Sequence, residues 1–426
     1  MIILASKVAR GQAAPSALAP LDSAYPDLEK LYLDLHQTPE LSNHEEKTSA
    51  KLAARLKALG YEVTTGVGGY GVVAILKNGK GPTVLLREDM DALPVEERTG
   101  LAYASKVTTK DDSGATVSVM HACGHDIHMT GLIGAATLLA RAKDRWRGTL
   151  FLVAQPAEEK GNGASAMIKD GLFTKFGKPD FAVSFHDSAM LPAGTVSLVP
   201  GYANATVDSV DLTIYGRGGH GAYPHTTVDP IVIAARTVLA LQTIVSRETK
   251  PTDPAVVTVG SIHGGTKHNI IPDEVKLLIT VRTYKEDVRK RILESIDRIA
   301  KAEALAAGAP KPPKMELSEG TYATYNDPAL TKRIAGALSQ TLGASNVVEG
   351  EPVMGSEDFS EFGRAGIPSL QYNVGAVPVA KFEAAKKSGA ALPSLHSSEF
   401  APDPQPTIKT SVISLTAAAL ELLGKP

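Results

Sequence analysis

The chain has 426 residues, 43% hydrophobic and 21% charged, ordinary globular usage that excludes a disordered, collagen-like or coiled-coil description of the whole. Its 44 Lys and Arg against 46 Asp and Glu leave a net charge of −2 with no long basic run, so charge gives no reason to expect nucleic acid or an anionic membrane as partner. A single cysteine, Cys123, excludes an internal disulfide, and the fold must rest on its core.

No apolar stretch approaches the roughly 20 residues needed to cross a bilayer. At the N-terminus the apolar run Met1–Ala5 comes before the charges of Lys7 and Arg10, the reverse of a secretory signal. The expectation is therefore a cytoplasmic protein, with a processed exported one as the alternative. The Ala/Pro-rich residues 13–20 read as a flexible lead-in.

Residues 45–60 carry Leu52, Leu56 and Leu59 at helical spacing and end at a glycine suited to a C-terminal cap. Short apolar strands are expected at 71–76 and 83–86, a buried helix at 131–142, and buried-type strands at 150–154 and 181–185. This alternation predicts an α/β domain with a largely parallel sheet. From residue 206 the order becomes strand 209–215, helix 229–247, strands 256–262 and 275–282, helix 287–307 and strand 314–317. That is the βαββαβ order of a ferredoxin-like unit. A strand at 369–373 follows, then a last helix with Ile408, Val412, Leu415, Ala419 and Leu422 on one face. The expected fold is a discontinuous α/β catalytic domain, residues 1–205 and 319–426, interrupted by a satellite domain at 206–318.

The densest chemical signal is HACGHDIH (121–128), just before the expected helix. Cys123 and His125 are two apart, so in an extended turn both can face one ion, and thiolate with imidazole suits zinc or a related transition metal. Two ligands alone do not make a site. The loop QPAEEK (155–160) follows an apolar strand and offers Glu158 and Glu159, of which one carboxylate can bind metal and the other accept a proton. A solvated Glu-Glu pair is nonetheless the commoner fate of such a sequence. His186 follows the strand 181–185, Asp89 and Asp91 follow the strand 83–86, and His396 lies in a Pro-rich segment. In the satellite domain, GRGGHGAYPH (216–225) could expose His220 on a glycine-rich turn. Arg282, ending a strand, is suited to bidentate carboxylate binding.

In this order the motifs DMDALP (89–94), HACGHDIH (121–128), QPAEE (155–159), GGHGAYPH (218–225), HNIIPDE (268–274), MGSEDFS (354–360) and LHS (395–397), preceded by LHQTPELS (35–42), resemble a known family. It is the co-catalytic metallopeptidase family of hippurate hydrolases, aminoacylases, auxin-amino-acid amidohydrolases and carboxypeptidase G-type enzymes. The resemblance implies two divalent metal ions per subunit, zinc first, with manganese, cobalt or nickel as other candidates. It implies Cys123, His125, Glu159, His186 and His396 as their ligands, Glu158 as general base, and Asp91 as the residue orienting the site. It implies His220 as the satellite histidine that reaches across a dimer to the scissile carbonyl, and Asn269, Arg282 and Ser356 as the grip on the substrate's carboxylate.

The chain departs from the family pattern in two places. Glu88 stands where a small residue is usual, and Asp187 and Ser188 follow His186 where an apolar residue is usual. Both bear on substrate preference, and Glu88 in particular is expected to affect bulky acyl substrates. The activity implied is hydrolysis of N-acyl amino acids with a free carboxylate through a metal-activated water. Aromatic acyl groups lead, as in hippurate-like or ochratoxin-like N-acyl-phenylalanine substrates. The enzyme is expected as a homodimer or higher homo-oligomer through the satellite domain, with no nucleic-acid or membrane partner. An N-acetyl-diaminopimelate deacetylase or a carboxypeptidase of the same family is the near alternative. A cysteine hydrolase using Cys123 and a non-catalytic binding protein are the alternatives of another class.

Overall fold

The computed structural model describes residues 17–425. The reading of residues 1–16 therefore lies outside the described residues, while Ala17, at the end of the proposed lead-in, is already buried. The chain forms two compact units. One runs to Gly201 and also takes Tyr325–Glu351 and Glu361–Pro426; the other holds Tyr202–Thr324 and Pro352–Ser360.

The first unit is built on an eight-stranded mixed sheet. Its centre is parallel, as expected: Gly148–Gln155, Thr83–Asp89, Phe181–Pro192 and Ser369–Val377 lie side by side in that order. Its margins are not, since Glu62–Val67 and Gly71–Asn78 join the Gly148–Gln155 side antiparallel. The helices Leu21–Gln37, His125–Arg141 and Pro404–Leu422 pack together over the sheet. The predicted stripe Ile408, Val412, Leu415, Ala419 and Leu422 is buried in this core.

Local signals explain several boundaries. The helix Glu46–Ala58 ends where Gly60 takes φ 87°, with Gly60 N–H bonded to Lys57 O at 3.0 Å and Tyr61 N–H to Leu56 O at 3.2 Å. That pair of bonds is a Schellman cap, and it turns Tyr61 into the core beside Leu52 and Leu56. The helix Leu21–Gln37 escaped the sequence reading; Pro26 lies inside it, and an internal proline reads as a breaker.

The second unit has the βαββαβ order. Val207–Tyr215, Ala255–His263, Glu274–Thr283 and Lys314–Thr321 form an antiparallel sheet in which Ala255–His263 and Lys314–Thr321 are the edges. Burial alternates along the central strands, because one face carries the helices Pro230–Thr243 and Glu286–Ala306. A π-helical turn, Ile244–Glu248, prolongs the first helix. Together they make 19 residues with a mean hydropathy of 1.3, long and apolar enough to cross a membrane by length and composition, which corrects the sequence reading. The inward face of this helix is core, with Ile233, Ala234, Leu241 and Ile244 buried, while Ile231, Val232 and Leu239 stand exposed.

Candidate metal centre

Three loops and one strand of the first unit bring the chemistry together. Gly124, at φ 74°, turns the chain from Cys123 into the helix that starts at His125. Only glycine fits there, since a Cβ would lie 2.4 Å from the Asp187 carboxylate. The cysteine–histidine pair is thus not an extended turn ahead of the helix, as the sequence suggested. His125 and His128 occupy the helix's first turn, three residues apart and on one face. His186 also differs from expectation. It sits inside the strand Phe181–Pro192, which continues because Ser369–Val377 pairs with it through Asn373↔His186 and beyond. Its other neighbour, Thr83–Asp89, pairs only as far as Leu86↔Val183, and so leaves that side of His186 open.

The five residues proposed as ligands converge. Cys123 Sγ is 3.5 Å from His186 Nε2 and 3.3 Å from His396 Nε2. Glu159 Oε1 lies 3.4 Å from His396 Nε2 and 3.9 Å from His125 Nε2. In three overlapping groups, Cys123/His125/His186, Cys123/Glu159/His396 and His125/Glu158/Glu159, the donor atoms lie within 4.8 Å of one another. Cys123 is common to two of these groups. His396 has φ 66° and is held by its N–H to Ala122 O at 2.8 Å, which ties a distant loop to the cysteine turn.

The donors fit a divalent metal pair. His125 Nδ1 donates to Asp91 O and His186 Nδ1 to Asp187 O, each at 2.7 Å, so in the neutral ring each turns the lone pair of Nε2 toward the cluster. His125 Nε2 and Glu159 Oε1 are buried without a hydrogen-bond partner, a costly arrangement unless a cation completes it. Burial and Glu159 push the Cys123 thiol up, but His186 and His125 outweigh them and hold it below its ordinary range.

Asp91 is buried and accepts the N–H groups of Glu158 at 3.2 Å and Glu159 at 3.0 Å, as well as the Ser42 hydroxyl at 2.6 Å. Beneath the cluster His128 joins Asp89 through Nδ1 at 2.6 Å and Asp187 through Nε2 at 3.0 Å. Asp187, the unusual residue after His186, is therefore part of the support. Glu88 is fully buried and accepts the Phe185 N–H at 3.1 Å; burial, then Asp89, pushes its carboxyl well up. An effect of Glu88 on bulky acyl substrates would therefore be indirect, through the backbone it holds at Phe185.

Sequence reasoning missed His36, although it lies in the LHQTPELS motif. It is buried, with Nδ1 2.7 Å from Asp126 and Nε2 3.2 Å from Glu97. Burial lowers its pKa, but the bonds to Asp126 and Glu97 win and raise it to about 10. Below about pH 6.5 this pairing stabilises the fold in full, and the contribution falls as pH rises and is gone above the folded pKa. We expect His36→Phe to lose about 3 kcal/mol at pH 6, for it strands two buried carboxylates. Urea unfolding at pH 6 and pH 10 checks this; a gap between wild type and variant that does not narrow at pH 10 contradicts it.

The second unit gathers the remaining predicted residues in two pairs. Gly219–His220 and Ile270–Ile271 form a small ribbon, and Gly221 N–H bonds Asn269 O at 2.8 Å, so His220 and Asn269 are neighbours. His220 is exposed, and its Nδ1 accepts the Ala222 N–H at 3.0 Å, which leaves the neutral ring's proton on Nε2. The Asn269 amide oxygen is buried without a partner. Arg282 is half-buried and bonds hydroxyls, Thr280 at 3.1 Å and Ser356 at 3.3 Å.

Comparison with known proteins places the chain in a family. Residues 85–387 match the profile of peptidase family M20/M25/M40. The chain is 40% identical over 333 residues to thermostable carboxypeptidase 1 of Saccharolobus solfataricus, covering 77% of this chain and 80% of the relative. It is 38% identical to the hippurate hydrolase of Campylobacter jejuni over 340 residues, 79% and 85% of the two chains. The crystal structure of the Bacillus subtilis YXEP protein, a dinuclear metal-binding peptidase of the M20 family, superposes with a TM-score of 0.75 at 27% identity, covering 94% of this chain and all of that one. The chain belongs to peptidase family M20/M25/M40 and is an enzyme, an amidohydrolase or peptidase of that family.

Proposed function

We propose that this member of the M20/M25/M40 peptidases hydrolyses the amide bond of N-acyl amino acids that carry a free carboxylate. Aromatic acyl groups are the preferred class, with hippurate-like and ochratoxin-like N-acyl-phenylalanine compounds as candidates. The observation that carries the reading is the convergence of Cys123, His125, Glu159, His186 and His396, two of whose atoms are buried without a hydrogen-bond partner, with Glu158 beside them.

These five side chains would hold two divalent ions, with zinc as first choice. Bound there, such ions supply Lewis acidity that lowers the pKa of a water and polarises the scissile carbonyl. Glu158 takes the proton from the water as its oxygen bonds to the carbonyl carbon. The same carboxyl then returns the proton to the amine nitrogen as the C–N bond breaks, giving a carboxylic acid and an amino acid. Asp91 holds the backbone of Glu158 and Glu159 and so orients both. His220, with its proton on Nε2, is a donor suited to the developing oxyanion. Arg282, whose bonds go to hydroxyls rather than to a carboxylate, with Ser356 and Asn269, would grip the substrate's carboxylate.

His220 would act from the satellite domain of a second subunit, which makes the working enzyme at least a dimer. The exposed Ile231, Val232 and Leu239 and the open edge of Ala255–His263 support an interface there. Sedimentation at the mass of one chain removes this part of the reading.

The test is turnover of benzoyl-glycine, benzoyl-phenylalanine and the acetyl analogues, before and after chelation, with zinc, cobalt, manganese or nickel restored. Benzoyl hydrolysis that stops with chelator and returns with metal is expected. Preference for acetyl substrates moves the reading toward a deacetylase, and activity surviving verified metal removal refutes it. Arg282→Ala is expected to raise KM about 100-fold for acids and to leave carboxyl-amidated substrates unchanged. Equal effects on both would take Arg282 out of carboxylate binding.

A further inference from the structure

Among the described residues, the non-glycine residues in left-handed backbone are Asn43 at φ 66°, Ala157 at φ 52° and His396 at φ 66°. A residue with a Cβ disfavours this region and stays there where its surroundings impose it. At two of the three positions one atom is bonded to the strained residue. Glu45 Oε1 accepts the Asn43 N–H at 2.9 Å and, 112 residues away in sequence, the Ala157 N–H at 2.8 Å.

Ala157 directly precedes Glu158 and Glu159. Its N–H and theirs are three consecutive amide donors, and all end on buried carboxylates, the first on Glu45 and the next two on Asp91. Asp91 is held in turn by Ser42, so the 42–45 turn reaches the loop by two routes. Glu45 is fully buried, and its second oxygen, Oε2, has no hydrogen-bond partner. Its hydrogen bonds therefore run through the one oxygen that clamps the two strained residues. The loop's outer tether differs in kind: Lys160 pairs with Asp112, which also meets His44 at 3.3 Å, but these side chains are exposed and such pairs contribute little.

We propose that Glu45 is a positioning residue for the hydrolysis. By holding Ala157 in left-handed backbone it aims Glu158 at the water and Glu159 at the metal. The proposal rests on the roles given to those two glutamates above. What it requires of Glu45 is reach and an acceptor oxygen, not charge. Gln keeps both, whereas Asp keeps the charge and stops one methylene short.

The test compares Glu45→Asp, Glu45→Gln and Asp112→Ala with wild type in the full-length, metal-loaded protein. It reads amide hydrogen exchange, zinc affinity by chelator competition, and kcat and KM. For Glu45→Asp we expect faster exchange confined to residues 157–163, zinc bound about tenfold more weakly, and kcat lowered about 50-fold with KM little changed. Glu45→Gln should stay within about threefold of wild type on each measure, and Asp112→Ala should match wild type. Glu45→Gln as impaired as Glu45→Asp overturns the proposal, as does exchange in 157–163 unchanged by Glu45→Asp. Acceleration spread evenly over the core strands also overturns it, showing general support of the fold. If wild type hydrolyses no acyl amino acid, the functional reading fails, and exchange and zinc affinity still decide the role of Glu45.

Discussion

Glu158→Gln is expected to lower kcat by about a thousandfold while leaving KM and metal content near wild type. A positioned general base contributes typically about 10²–10⁴ in rate, and this residue is assigned two proton transfers, from water and to the leaving amine. Gln preserves length and shape. The backbone N–H of residue 158 would still reach Asp91, as it does at 3.2 Å, so the loop keeps its course. The ligand assigned to the metal is the neighbour Glu159, whose Oε1 lies 3.4 Å from His396 Nε2. Loss of turnover with metal retained is therefore the signature of a missing base, whereas loss of both would point to collapse of the loop. Steady-state kinetics on benzoyl-glycine, with metal analysis of the same sample, separates the two. A kcat within tenfold of wild type would remove Glu158 from proton transfer.

Cys123→Ala is expected to abolish stoichiometric metal binding and reduce turnover to background. The sulfur is 3.5 Å from His186 and 3.3 Å from His396, and it belongs to two of the potential metal groups, as His125 and Glu159 do. Removing it takes a donor from both groups at once, so the loss should exceed the roughly 10–100-fold in affinity that follows loss of a supporting group alone. The same variant decides against a thiol nucleophile. A cysteine hydrolase would lose activity on this substitution yet bind as much metal as wild type, and the wild type would survive chelation. Elemental analysis after dialysis against a weak chelator gives the answer directly.

The depth at which the site could be read differs among its parts. Cys123, His125, Glu158, Glu159 and Asp91 sit in short motifs whose residue types already suggest metal chemistry; Asp91 and the two glutamates follow plainly apolar strands, and the cysteine motif opens an apolar helix. The second unit was legible for a simpler reason. Alternation along Val207–Tyr215 and Glu274–Thr283 follows from a sheet with one buried face, so period and order both survive in the sequence. His36 and Glu45 carry no such mark in the sequence. Nothing local marks a glutamate at the start of a helix as the acceptor for an amide 112 residues away.

The lengths of the strands show the same limit. The expected strand 181–185 stops where its apolar run stops, but the strand continues to Pro192 because Ser369–Val377 lies beside it. Likewise Gly124 looks like any turn glycine, until the Asp187 carboxylate is found 2.4 Å from where its Cβ would be. The two-part architecture, the family resemblance and the candidate metal-binding side chains could be read from the chain alone, because periodicity and motif spacing are local properties. Which imidazole nitrogen faces the cluster, the sealing of Glu88 in the core, and the carboxylates that hold the Glu158–Glu159 loop emerge only in the folded chain. Those depend on hydrogen bonds between segments far apart in the chain, whose partners are chosen by how the helices and strands pack.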